Sequence, residues 1–173
     1  RVIEAAKAIS IPTSREILHV IPRNFIVDGH EGVKDPRGMT GVRLEVDTHI
    51  ITGSQALIRN LIKTVGEVGV DVSGVAFSGL ASGLSVLSET EKELGVVLLD
   101  IGGGTTDICV YIDGTLAHSQ VLPIGAKHIT NDLAIGLRIS IESAEKIKLF
   151  LGLAKKKKEL SEENETESES TVA

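Results

Sequence analysis

Hydrophobic and polar positions change rhythm several times along the chain, and each rhythm predicts an element. Val2, Ile3, Ala6 and Ile9 share one side of a helix that stops near Pro12. Apolar residues then crowd Glu16 to Val27, which reads as a strand in which Pro22 demands a bulge or an edge position. Asp28 to Gly41 holds Gly29, Gly32, Pro36, Gly38 and Gly41 and reads as a loop. Val42 to Ile51 alternates. Val42, Leu44, Val46, Thr48 and Ile50 share one face and Arg43, Glu45, Asp47 and His49 the other, as in a half-buried antiparallel strand. Ser54 is placed as an N-cap. Ala56, Leu57, Leu61, Ile62 and Val65 recur at helical spacing to about Val68, and Gly69 ends the helix. Val70 to Phe77 reads as a further short strand.

Strand, strand, helix, strand makes a compact α+β unit of about 70 residues. The pattern then shifts. Leu80 to Leu94 reads as one connecting helix, and Val96 to Ile101 is an unbroken apolar run that predicts a strand buried on both faces. Gly102 to Thr105 is a tight turn, and Thr106 to Ile112 and Thr115 to Leu122 are strands joined by the hairpin signal Asp113-Gly114. Helices follow over Lys127–Leu137 and Ile141–Leu151. From Lys155 the core-forming residues stop, and the Lys- and Glu-rich remainder is expected to be disordered. No internal repeat is visible.

Composition narrows the function classes. Of 173 residues 42% are hydrophobic but only 2% aromatic, so the core rests on Val, Ile, Leu and Ala. A net charge of −6 argues against a nucleic-acid binder, which would carry a basic face. One cysteine, Cys109, excludes an intramolecular disulfide and fits a reducing cytoplasm. It reads as a small buried residue with no base beside it. No run reaches the roughly 20 apolar residues of a membrane-spanning helix, and no secretory signal opens the chain. The first residue is Arg1, in a helix already under way, so the chain is expected to begin inside a larger protein. His19, His49 and His118 in strands, His30 in a loop and His128 near a helix start fit no zinc spacing. The exposed backbone around Arg37–Arg43 is a candidate edge for strand addition by a partner.

The segment that carries chemistry is VVLLDIGGGTTDICVYIDG, Val96 to Gly114. Gly102, Gly103 and Gly104 let backbone N–H groups approach an anion closely. Thr105 and Thr106 add hydroxyl donors for phosphate oxygens, and Asp100 sits where a carboxylate holds a Mg²⁺-bound water or orients an attacking one. The plainer reading is a glycine-rich hairpin with capping hydroxyls. The full D-I-G-G-G-T-T-D string between two β-rich strands favours phosphate binding.

DIGGGTTD resembles the second phosphate motif of the actin-like ATPases. The stretches LHVIPRNFIVDG, GVKDPRGMTGVRLEVDTHIITG and LIKTVGEVGVDVSGVAFSGLASGLSVLSETEKELG before it resemble the interaction subdomain 1C, an SHS2 domain, of the bacterial cell-division family FtsA. The resemblance spans about residues 1–150, and the actin-like proteins of pilus assembly are the nearest confusable family. It implies an α+β and α/β chain, a partial actin-like (ribonuclease H-like) domain preceded by a small strand-strand-helix-strand subdomain. The boundaries it implies are a connecting helix over 1–15, the subdomain over 16–79, the first half of the second actin-like domain over 80–154, and an acidic tail over 155–173. It further implies ATP and Mg²⁺ as cofactors, with Gly102, Gly103, Gly104, Thr105 and Thr106 facing the phosphates, Asp100 near the metal, and Glu145 and Lys148 reaching toward the ribose or adenine. From the residues alone, Glu145 and Lys148 are a polar pair three apart on a helix, equally at home on a solvated face.

The first phosphate hairpin, the adenine-binding turn and the amphipathic membrane helix of the family are not in this sequence. LFLGLAKKKK imitates such a helix weakly, and its lysines read better as cations favouring a helix C-terminus. The resemblance implies a scaffold, at most a weak ATPase, that self-associates, links FtsZ and other division proteins to the cytoplasmic face of the inner membrane, and binds no nucleic acid. Membrane contact would come from a segment missing here. The alternatives are a pilus-assembly actin-like protein, a kinase or ATPase of the same superfamily, and an interaction fragment indifferent to nucleotide.

Overall fold

The computed structural model describes residues 2–152, and the expected disordered tail from Lys155 onward lies outside them. The chain divides into two units. Among the described residues, one comprises 2–100 and 107–122, the other 101–106 and 123–152.

In the first unit, helix α1 (Val2–Lys7) precedes a three-stranded antiparallel sheet in the order β2-β1-β3, with β1 at Arg15–Val27, β2 at His30–Val33 and β3 at Leu44–Ser54. The irregularity demanded by Pro22 is present, since the β1–β3 register shifts between Pro22 and Asn24. Strand β2 pairs only with Phe25 and Val27, so the missing N–H of Pro22 costs that side no ladder bond. The segment expected to be all loop thus contains a strand. Asp28 (φ 48) and Gly29 (φ 83) are both left-handed, as the two central residues of a tight hairpin turn must be, and they fold β2 back onto β1. The Asp28 carboxylate also accepts the N–H groups of Val42 at 3.0 Å and Arg43 at 2.6 Å, which hold it below the usual carboxylate range. Those two N–H groups are therefore not free to receive an added strand, contrary to the expectation for the Arg37–Arg43 edge.

Helix α2 (Gln55–Gly66) begins after Ser54 as expected, although the Ser54 side chain makes no capping bond. Residues 70–77 form no strand. Gly74 breaks the alternation after Val70 and Val72, so Val75 and Phe77 fall out of phase. Val72, Val75 and Ala76 instead line an apolar groove with Leu61, Ile62 and Val65 of α2. The segment is held at its end by a side chain, with the Phe77 N–H donating to His19 Nε2 at 3.0 Å.

The expected single helix over Leu80–Leu94 is two, α3 (Ser78–Val86) and α4 (Glu89–Leu94). Ser88 is extended at ψ 157 and forms a capping box with Glu91, each satisfying the other's backbone N–H, and this starts a new helix there. Strands β4 (Val96–Ile101), β5 (Thr106–Ile112) and β6 (Thr115–Leu122) form a second sheet in the order β4-β5-β6. Asp113 (φ 54) and Gly114 (φ 79) make the expected β5–β6 turn.

The core joins Ile51 with Cys109, Tyr111 and Leu116, and packs Phe77, Leu80 and Leu98 against them. Helix α3 sits close because it presents glycines. A Cβ on Gly79 would lie 2.7 Å from Cys109 Sγ, and one on Gly83 would overlap the Tyr111 hydroxyl. Burial, then the charges of Asp107 and Asp100, push the Cys109 thiol up to about 11, as suits a packing residue. Strand β4 departs from its expected burial on both faces. It alternates, and Val97, Leu99 and Ile101 are 58%, 56% and 64% exposed. An apolar run specifies a strand that can be covered twice, but only the residues that pack on it decide whether it is.

In the second unit, α5 (Ala126–Leu137) and α6 (residues 141–152) follow the turn at 101–106. Ser140 Oγ accepts the Ser143 N–H at 3.2 Å and starts α6.

Candidate functional site

The glycine turn is built against the start of α5. Its ends are tied by Gly102 N–H donating to the Thr105 carbonyl at 2.8 Å. The carbonyls of Gly102 and Gly103 then accept the N–H groups of Ala126 at 2.9 Å and Lys127 at 2.8 Å. The first donors of α5, which a helix leaves without an internal partner, thus hold the turn. Gly125 makes this approach possible, because a Cβ there would stand 2.5 Å from the Gly102 carbonyl oxygen and 2.8 Å from Gly104 N. With its carbonyls tied back, the turn keeps the N–H groups of Gly103, Gly104 and Thr105 without a partner among the described residues. Gly103, Gly104 and Thr105 are all exposed. Three successive unpaired N–H groups in a turn are the donors that an anion-binding nest requires.

The two threonines part ways. Thr105 keeps its hydroxyl free among the described residues, while Thr106 Oγ1 donates to the Ile124 carbonyl at 2.7 Å and so ties the strand start to the segment leading into α5. The Thr106 proton is therefore not available to a phosphate oxygen, which its sequence position alone does not reveal. Lys127 was not singled out from the sequence. It is exposed, makes no ion pair among the described residues, and its Cε lies 3.9 Å from where a Gly103 Cβ would be. The signal for it is a glycine followed within two residues by a cation at a helix start.

Glu145 and Lys148 are brought together, not left as separate surface charges. Lys148 Nζ donates to Glu145 Oε2 at 2.7 Å, and Thr130 of α5 joins both. The Lys148 ammonium, and then the Thr130 hydroxyl, lower the Glu145 carboxyl, so it is ionised at neutral pH. Thr130, only 3% exposed, is a second residue that sequence periodicity missed. A lone threonine in a helix carries no sign of what it faces.

The aspartates of the motif belong to the first unit and are each served by a serine of α3. Ser82 Oγ donates to Asp100 Oδ2 at 2.7 Å, and Ser78 Oγ donates to Asp107 Oδ2. Asp100 Oδ1 has no protein partner among the described residues. No group of three or more metal-ligating side chains occurs among the described residues, and no helix there is long and apolar enough to cross a membrane.

Two three-stranded sheets, with a glycine turn leading from β4 to β5 and sealed onto the following helix, define the class. Among solved structures the chain is similar to the PilM-PilN type IV pilus biogenesis complex, with a TM-score of 0.61 over 86% of this chain and 41% of that one, at 18% identity. The fold is of the actin-like ATPase type.

Sequence comparison is more specific. A family model described as the SHS2 domain inserted in FtsA matches residues 1–52, and one described as cell division protein FtsA matches residues 97–172. The chain is 47% identical to FtsA of Bacillus subtilis over 89% of its length, 49% to that of Borreliella burgdorferi over 89%, and 41% to that of Escherichia coli over 88%. It belongs to the FtsA family of cell-division proteins. It spans 35% to 37% of the length of these three relatives, a little over a third.

Proposed function

We propose that this chain is the interaction subdomain and phosphate-binding half of an ATP-responsive division scaffold. The boundaries follow the same reading: a connecting helix over 1–15, the subdomain over 16–79, the actin-like portion over 80–154 and an acidic tail over 155–173. The observation that carries it is the turn at Gly102–Thr105, where the Gly102 and Gly103 carbonyls are bound to α5 while three consecutive N–H groups have no partner among the described residues. That arrangement fits a polyphosphate, with Thr105 and Lys127 adding a hydroxyl and a cation. The Glu145–Lys148 pair supplies an acceptor and a donor for the nucleoside. Asp100, whose Oδ1 has no partner among the described residues, fits a water held by Mg²⁺.

In this reading the longer protein self-associates and joins FtsZ and other division proteins to the cytoplasmic face of the inner membrane, with the membrane contact made elsewhere in it. Nucleotide acts as a conformational ligand with at most slow hydrolysis. Identities of 41% to 49% to FtsA, against 18% to the pilus complex, favour division over pilus assembly.

The test is calorimetric titration of Mg-ATP into the purified chain and into an Asp100→Ala variant. Saturable binding that weakens in the variant is expected. An absence of heat up to about millimolar nucleotide, the weak end of specific binding, would refute nucleotide binding by this chain.

A further inference from the structure

We infer that the cavity between β3 and β6, within the first unit, binds a small organic anion, with Arg15 holding its carboxylate or phosphate head and the apolar wall holding its body. The inference is independent of the nucleotide reading, whose glycine turn belongs to the second unit.

The cavity has a volume of about 490 Å³, inside the range of about 300–1,000 Å³ usual for small-molecule sites. Residues 50–53 of β3 form one wall and residues 119–121 of β6 the other. Each strand is an edge of its own three-stranded sheet, so neither sheet fills the space between them. His49 Nε2 lies 2.8 Å from Ser119 Oγ, a hydrogen bond that ties the two walls together.

Charge selects the ligand class. Arg15 Nε donates to Thr52 Oγ1 at 2.8 Å and Nη2 donates to the Thr52 carbonyl at 2.7 Å. These bonds hold the guanidinium against β3 before any ligand arrives, which lowers the cost of ordering it on binding. A guanidinium carries five N–H donors, so three remain. Arg15 makes no ion pair among the described residues. The chain carries 24 acidic residues, yet no described one lines this cavity. His49 feels the same field. Burial first, then the charges of His118 on β6 and Arg23 on β1, hold its pKa below the ordinary value, and all three causes act in one direction. A bound anion would oppose the two charges.

The rest of the wall sets the body of the ligand. Leu18, Ile51, Phe77 and Val121 are apolar, and a bare inorganic anion would leave them unmatched. The guanidinium fork suits carboxylate and phosphate oxygens alike, so the shared chemistry is an anionic head joined to a short apolar body.

The experiment titrates hexanoate and hexyl phosphate into the purified chain by calorimetry, and follows the His49 ring pKa by proton NMR. Hexanol supplies the body without the charge, and acetate and inorganic phosphate the charge without the body. At least one charged hexyl probe is expected to bind saturably, about tenfold or more tighter than any of the three controls, and to raise the His49 pKa. Its head group then identifies the head the site prefers. Arg15→Gln should weaken that binding about tenfold or more, and Arg15→Lys, which keeps the charge without the fork, should weaken it less. Circular dichroism checks folding, and where a variant does not fold the His49 measurement on the wild type decides. Hexanol binding as tightly as the charged probes would overturn the inference. So would binding that neither depends on Arg15 nor moves His49, since the probe then sits elsewhere, the glycine turn included. An absence of binding up to about 10 mM, weaker than specific sites reach, would overturn it too. Mg-ATP is titrated separately, so the failure of either reading leaves the other standing.

Discussion

Replacing Gly125 with alanine tests the joint between the glycine turn and α5. Gly125 is extended, with φ −155 and ψ −169, a conformation any residue adopts. The substitution therefore carries no backbone strain, and its effect is steric. The new Cβ would meet the Gly102 carbonyl oxygen at 2.5 Å, and Gly103 C and Gly104 N at 2.8 Å. Ordinary contact begins near 3.4 Å, so the turn must retreat by roughly 0.6–0.9 Å, and since all three atoms are backbone no rotamer change relieves it. The expected stability loss is about 1–3 kcal/mol, typical of overpacking.

The functional loss should be larger in proportion. A shift near 1 Å takes an N–H bond from about 2.9 Å beyond the range in which it still counts, and losing even one charge-assisted bond weakens binding about tenfold or more. Urea unfolding followed by circular dichroism reads the first effect, and Mg-ATP titration the second. Gly136→Ala is the control. It lies in the same helix with nothing within 4 Å of its Cβ position, and it should stabilise by up to about 1 kcal/mol without touching binding. If Gly125→Ala unfolds at the wild-type urea midpoint and binds ATP with wild-type affinity, the turn is not held by its contact with α5, and the reasoning fails.

Two further outcomes are expected. Gly83→Ala drives a methyl into the Tyr111 ring and hydroxyl, and even after the gain in helix propensity it should cost about 1–2 kcal/mol, visible as a lowered melting temperature; an unchanged one would mean α3 does not pack on Tyr111 as described. His49 is half-buried, its Nε2 2.8 Å from Ser119 Oγ, and burial first, then the charges of His118 and Arg23, depress its pKa below 6.5. Because the folded state disfavours the protonated ring, this contribution to stability is full above 6.5 and is lost as pH falls through the lower folded value. The urea midpoint should decline from pH 7.5 to 5, and less steeply in His49→Gln. An identical slope in the two proteins would remove His49 as a cause.

Much of the local structure was legible because its causes are local. Asp113-Gly114 announces a tight hairpin, since both residues tolerate a left-handed backbone, and the turn is there. Asp28-Gly29 carries the same signal and makes the same kind of turn, yet the glycines and proline after it masked the four-residue strand it leads into. The split between α3 and α4 was also written locally, as the Ser88 to Glu91 capping box. Residues 70–77 show the opposite limit. Their β-branched content favours a strand, but a strand needs a partner edge, and these side chains found the flank of α2 instead.

The sequence by itself determined the class of the chain and the form of its glycine turn. The run from Asp100 to Asp107 is contiguous, and a glycine turn needs only neighbours along the chain to form. Tertiary structure alone decided which of the motif's groups stay open. Thr105 keeps its hydroxyl without a partner among the described residues while Thr106 is spent on Ile124, Gly125 rather than a motif glycine sets how close α5 comes, and Thr130 gathers Glu145 and Lys148 around one hydroxyl. Each of these depends on which residues meet after 15 to 23 positions of intervening chain, and spacing along a sequence does not encode which way a side chain will face when helix and turn close on each other.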